Sequence, residues 1–302
     1  MVRSAARRRA GVCILSRMNE LTVRSTDQSD ASTTYLSRVR LLLDAVPSAV
    51  LCRRTAAHTW GLRGQVMRGA ATSWPIEVAT NTDPGIAGCA VSPSVRPVGD
   101  ITLHREFLVT TLDRTALDCA RWLPRLEAVA ILDQALRRGV HPDALRRRAS
   151  LIYGAPGGRR VREMLALTDP RAGSPRESWV RVIVLDARLP RPTSQFTIPL
   201  SGGRTARLDL AWEDFKVAAE YDGHTRHTSD RDRFADERRR YELRELGWHV
   251  VPVRADVIPA HTAEFLTDIV NALLERGWHP SQEEMTRILA HIRTLRRPFL
   301  RR

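Results

Sequence analysis

The sequence predicts an α/β chain of two domains: an N-terminal mixed α+β domain and a C-terminal domain built on a mixed sheet flanked by helices. Three observations lead there. At 302 residues the chain is long enough to bury two separate cores. Helical and strand-like apolar periodicities alternate in both halves. Between the halves, the Pro- and Gly-bearing stretch DPRAGSP, residues 169–175, reads as a linker.

Residues 1–33 are polar and lack periodicity, so they read as a disordered leader, with Met18 as an alternative start. Their basic head precedes only a short apolar run, too short for a signal peptide. No later stretch is long enough to span a bilayer, which points to a soluble protein. The first domain covers residues 34–168. YLSRVRLLLDAV, residues 35–46, has helical spacing and stops before Pro47. SAVLCRR then reads as a short strand and TAAHTWGL as a helix. IEVAT, AVSPSVR and ITLHREFLV follow as short strands joined by turns. From Thr111 onward the pattern is helical, with Leu112, Ala116, Leu117 and Ala120 on one face. Pro124 suits the first turn of the next helix and Gly139 its end, and two further helices reach the linker.

The second domain covers residues 176–302. PRESWVRVIVLDARL offers Trp179, Val182, Ile183 and Leu185 to a core as a helix. SQFTIPL and TARLDLAW flank a SGGR turn and read as antiparallel neighbours. FKVAAEYD is the third strand, RDRFADERRRYELREL a charged helix ending at Gly247, and WHVVPVR the fourth strand. Two amphipathic helices complete the chain.

Charge narrows the partner. The formal net charge is +14, and Lys216 is the lone lysine among the basic residues. Arginine forms bidentate hydrogen bonds to phosphate, so the balance favours a nucleic acid. Arginine also accumulates in proteins from GC-rich genomes, so composition alone leaves a second explanation open. Four scattered cysteines form no CxxC pair, which fits a reducing cytoplasm rather than a disulfide framework or zinc site.

Acids are concentrated in one region. Asp209 interrupts an apolar strand, while Glu220 and Asp222 share a face at the end of the next. A carboxylate there is costly to bury without a cation or donors. If the strands are neighbours, Asp209 and Glu220 meet, and Mg2+ is the natural ion between them for a phosphodiester substrate, with Mn2+ as a substitute. The competing reading is a pair of salt-bridged surface carboxylates. His224 and His227 follow directly and suit proton transfer, or are simply solvated loop residues.

This stretch, about residues 174–258, resembles the restriction-endonuclease-like PD-(D/E)XK superfamily, and within it the very-short-patch-repair-endonuclease branch. Glu177 in SPRESW, Asp209 in RLDLAW, the EYDG run, His227 and LGWHVVPV carry the resemblance. It implies a Mg2+-dependent DNA endonuclease or nickase with Glu177, Asp209, Glu220, Asp222 and His227 as catalytic residues. Asp209, Glu220 and Asp222 would be the metal ligands, and Arg226, Arg231 and Arg239 would contact nucleic acid. Asp236 and Arg239 would support the ligands. One departure stands out: the superfamily places lysine where this chain has Asp222. Lys216 lies about 13 Å from Glu220 along the strand, at roughly 3.3 Å per residue, too far to replace it. Either Asp222 is a further ligand with a histidine or arginine in lysine's role, or the site has lost activity.

The N-terminal region resembles abortive-infection type IV antitoxin (AbiEi-like) proteins, through AVLCRRTAAHTWGL, IEVAT and residues 110–139. The resemblance implies a fold and a regulatory or substrate-positioning role, with Arg53, Arg54, His58 and Trp60 near nucleic acid. Of these, Trp60 reads rather as a core residue and His58 rather as a satisfied structural residue. The alternative function is therefore a non-catalytic DNA-binding regulator or antitoxin-like protein with a degenerate nuclease domain. An RNA substrate ranks lower because aromatic residues are few. A toxin or methylase partner would fit either DNA-directed reading.

Overall fold

The computed structural model describes residues 28–63, 75–81, 84–92, 98–152, 154–222, 230–254 and 256–295. The chain is mixed α/β with two sheets. It divides into two compact units, Met1–Pro170 and Arg171–Arg302. Among the described residues no helix is long and apolar enough to cross a membrane.

In the first unit α1 spans Gln28–Ala45, so it opens inside the stretch that the sequence assigns to a disordered leader. The SDASTT run is rich in residues of modest helix propensity, which hides this first part of the helix from periodicity. Downstream, Tyr35, Val39 and Leu42 recur at helical spacing and are fully buried against Leu51, Ile76, Val78 and Val109. Those partners lie on β1 (Val50–Leu51), β2 (Ile76–Ala79) and β5 (Phe107–Thr110), three strands of a five-stranded sheet in the order β3-β2-β1-β5-β4. Strand β3 is Cys89–Ser92 and β4 is Ile101–His104. Helix α2 (Arg53–Thr59) leaves β1 directly. Four helices close the unit: α3 (Leu112–Trp122), α4 (Arg125–Arg137), α5 (Pro142–Leu151) and α6 (Gly158–Ala166).

The two aromatic candidates of this unit are bound up in its packing. His58 meets the Tyr35 ring edge-on at 4.8 Å, and burial lowers its pKa. Trp60 stacks on His104 at 3.9 Å and donates from Nε1 to the Thr110 carbonyl. Arg54 donates from its backbone N–H and its guanidinium to buried Glu77. These contacts account for the residues structurally.

The second unit begins with α7 (Pro175–Asp186), followed by β6 (Thr193–Pro199), β7 (Thr205–Trp212) and β8 (Val217–Asp222). Helix α8 (Asp230–Glu245) leads to β9 (His249–Arg254), then a short α9 (Val257–Ala260), α10 (Thr262–Glu275) and α11 (Gln282–Leu295). The strands run in chain order, β6-β7-β8-β9, with the first two pairings antiparallel and the last parallel. A parallel pair needs a crossover, and α8 provides it. Ala211 and Ala218, paired across β7 and β8, lie in one cluster with Leu208, Trp248 and Leu243 of α8. The register of β7 and β8, carried one step further, sets Asp209 across from Glu220, while the joint presence of Leu208 and Ala211 in that cluster shows that regular alternation is broken between them. Leu210, Ala219 and Val251 form a buried row on the opposite face.

Candidate active site

Each acid of the site is placed by a different local device. Ser174 caps α7, accepting from the Glu177 N–H at 3.3 Å, with Pro175 at the first helical position. Glu177 therefore sits at the third position, where a carboxylate favours the helix start. Its Oε2 accepts from the Gly173 N–H at 2.7 Å, which is the return arm of a capping arrangement. A cap alone would face solvent; this carboxylate also accepts from Gln195 Nε2 at 2.6 Å.

Asp209 lies between two interrupted ladders. On one side, β6 pairs with β7 at Ser194–Leu210 and Phe196–Leu208 but not at the intervening Gln195–Asp209 position. On the other, the β7–β8 ladder ends at Leu210–Ala219, one step short of Asp209 and Glu220. The carboxylate fills both gaps. Its Oδ2 accepts from the Tyr221 N–H at 2.8 Å, and its Oδ1 accepts from Gln195 Nε2 at 3.1 Å. Buried backbone donors must be satisfied, and here a side chain replaces the missing strand partner.

Burial pushes the Asp209 carboxyl up to about 6, and the neighbouring Glu177 and Glu220 push the same way. Hydrogen bonds from Tyr221 and Gln195 act in the opposite sense and lose. The site thus holds more negative charge than its donors compensate.

Glu220 is held separately. Arg239 of α8 donates from Nη1 to Oε2 at 2.9 Å and from Nη2 to Oε1, a bidentate pair. Nη2 also reaches the Arg207 carbonyl at 3.3 Å. The Glu220 bond raises the Arg239 pKa against the effect of burial. Arg239 was expected to contact nucleic acid or support the ligands, and its charge is directed at Glu220. Asp236 pairs with Arg240 at 2.8 Å. Lys216 caps the turn before β8 with φ +50° and donates from Nζ to the Leu246 carbonyl at 2.9 Å, at the opposite end of that strand from Glu220.

Glu177 and Asp209 are joined through Gln195, while Glu220 stands in register with Asp209 and is clamped by Arg239. Asp222 ends β8, paired with Arg254 of β9, and Arg231 falls in the first turn of α8. His227, His224 and Arg226 lie outside the described residues. Among the described residues, no three His, Cys, Asp or Glu side chains form a group able to hold a metal ion. Glu220 is occupied by Arg239, which leaves Glu177 and Asp209 as the close pair. The available donors are carboxylate oxygens, hard ligands that suit Mg2+ or Mn2+, and the uncompensated charge at Asp209 is what a cation would relieve.

Sequence reasoning missed Gln195 and Gly173. Gln195 sits in a strand pattern that gives no sign of its left-handed backbone, φ +56°. Gly173 is needed for space: a Cβ there would lie 3.1 and 3.2 Å from the two Glu177 carboxylate oxygens. Gly173→Ala is therefore expected to displace that carboxylate and cost about 1 kcal/mol by overpacking, measurable by urea denaturation. Unchanged stability together with an unchanged Gln195 side-chain amide resonance would count against this contact.

No family model matches the chain, and no solved structure matches it. Two curated proteins of Mycobacterium tuberculosis do. "Uncharacterized protein MT2308" (strain CDC 1551 / Oshkosh) is 35% identical over 227 residues, covering 69% of this chain and 75% of the relative. "Uncharacterized protein Rv2248" (strain ATCC 25618 / H37Rv) matches with the same identity, length and coverage. With that identity over three quarters of each relative, the chain belongs to the family of these two mycobacterial proteins.

Proposed function

We propose that the second unit is a Mg2+-dependent DNA endonuclease or nickase of the restriction-endonuclease-like PD-(D/E)XK type, in its very-short-patch-repair-like branch, with Mn2+ able to substitute. The observation that carries this reading is the meeting of Glu177 and Asp209 beside Glu220, with the Asp209 carboxyl pushed up to about 6 by burial and by those two acids. An ordinary surface pair in an arginine-rich protein would be neutralised by guanidinium groups. Among the described residues, only Glu220 of the three has that neutralisation.

Glu177 and Asp209 would hold the cation, and Glu220 would join them on release from Arg239. When bound, it supplies Lewis acidity at the phosphodiester and makes water a stronger nucleophile. The chain itself contributes orientation: the helix cap fixes Glu177, and the Tyr221 N–H fixes Asp209. Exposed Arg207 and Arg254 flank the acids along β7 and β9 and suit a polyanionic backbone. His227 is the proton-transfer candidate, and Asp222 the candidate for a further ligand in lysine's place.

The bidentate hold of Arg239 on Glu220 favours a second reading, a DNA-binding regulator whose nuclease domain is degenerate. In it the guanidinium permanently takes the charge that a metal would neutralise. One experiment separates the two. Supercoiled plasmid incubated with the purified protein and Mg2+ or Mn2+ is expected to be nicked or linearised, with Glu177→Gln and Glu220→Gln reduced to background. Salt-dependent DNA binding without cleavage in either metal would select the regulator. Cleavage that survives both substitutions would remove the proposed ligands.

A further inference from the structure

The left-handed backbone at Gln195 is unusual. In a β-strand a non-glycine residue at φ +56° is sterically disfavoured, and glutamine lacks the short side chain that lets asparagine bond locally to its own backbone there. The register of β6 against β7 is the same on both sides of it, so no residue has been inserted. The distortion keeps the register on either side but leaves the Gln195–Asp209 position unpaired, and there the Gln195 side chain meets Glu177 and Asp209. One amide nitrogen then donates to Oε2 of the first and Oδ1 of the second, at 2.6 and 3.1 Å. A primary amide has two N–H groups, so one residue serves both carboxylates without sharing a proton.

We propose that Gln195 is the positioning residue of the metal site, a neutral donor that holds Glu177 and Asp209 together before the cation arrives. This rests on the metal-site reading above. Two half-buried carboxylates repel, and without a donor between them they separate or one takes up a proton. A lysine there would neutralise the pair and compete with the metal. An amide bridges them and leaves their charge in place. Its bonds engage one oxygen of each acid, and Oε1 of Glu177 stays outside them. The strained backbone is retained because it delivers the amide to this point, the form that local strain takes at functional sites.

The test is calorimetric titration of the full-length protein with Mn2+. Gln195→Gly removes the side chain and suits the backbone. Gln195→Asn also tolerates φ +56° but is too short to bridge both acids. Both variants are expected to keep the wild-type far-UV circular dichroism and bind Mn2+ about 10- to 100-fold more weakly, the range for residues that orient metal ligands. Plasmid cleavage should fall at limiting Mn2+ and recover at saturating Mn2+, which a purely structural defect would not do. Wild-type Mn2+ affinity in both variants sinks the role of Gln195 and leaves the metal site standing. No Mn2+ binding by the wild type overturns the metal reading and this inference with it. Unfolding of both variants assigns Gln195 to the fold and overturns the inference as well.

Discussion

Asp209→Asn is expected to make the metal-free protein more stable at pH 8 while abolishing its response to divalent metal. The sign follows from linkage. An Asp carboxyl at 3.8 in the unfolded chain rises to about 6 on folding. Below pH 3.8 both states carry the proton and the group contributes no difference. Between pH 3.8 and about 6 the unfolded state loses its proton first, so stability falls as pH rises. Above that window the accumulated penalty is about 3 kcal/mol and stays constant. Asparagine carries no charge and its Oδ1 can still accept from the Tyr221 N–H, so the variant should lack the decline. Urea denaturation from pH 3.5 to 8 measures it: the wild type loses stability through the window and the variant does not. With Mn2+ present the order changes. A cation bound only by the folded state stabilises the wild type through mass action, and the variant, lacking a ligand, gains nothing. Equal pH profiles would mean that Asp209 is better compensated than its surroundings imply.

Much of this site was legible because its logic is periodic. The register that pairs Ala211 with Ala218 and Leu210 with Ala219 sets Asp209 across from Glu220 once β7 and β8 are neighbours. Glu177 was legible through SPRE, a cap followed at the third position by an acid. What escaped depends on features that residue type does not carry. A left-handed φ is announced by glycine or asparagine, and glutamine at position 195 announces nothing. The Arg239–Glu220 pair joins residues 19 apart across a crossover, and nothing marks Arg239 among the neighbouring Arg238 and Arg240. In α1, burial of Tyr35, Val39 and Leu42 marks the second half of the helix, while the polar first half carries no apolar period. The missing lysine is sharpened by the structure. Lys216 is committed to the Leu246 carbonyl, and the donor found between the acids is an amide.

Leu243→Ala is expected to produce the largest loss of stability of any side-chain truncation over residues 234–245 of α8. Over its described side chains, residues 234–245, helix α8 is mostly charged, and Leu243 is its one buried residue, at 0% exposure. It enters the cluster of Leu208, Ala211, Ala218 and Trp248. The helix's other attachments are polar, including the ion pairs of Glu242 with Arg204 and Arg239 with Glu220 and the Ser201 hydrogen bonds to Glu242. A pair that reaches solvent, such as Glu242 with Arg204, contributes about 0–1 kcal/mol, whereas removing a buried leucine costs about 2–5 kcal/mol through lost burial and a residual cavity. Leu243 therefore dominates the attachment of α8. Arg239 lies one turn before it, so loosening the helix should also weaken the clamp on Glu220. Native-state hydrogen exchange at the Ala219 and Val251 amides would report the loss, about 3 kcal/mol for Leu243→Ala. Tyr241→Ala serves as the control: that ring is 56% exposed on the same helix, and its removal should change stability by less than about 0.5 kcal/mol. A comparable loss from both would show that α8 is held along its length. A loss confined to Leu243→Ala would show that one apolar contact sets the position of the arginine facing Glu220.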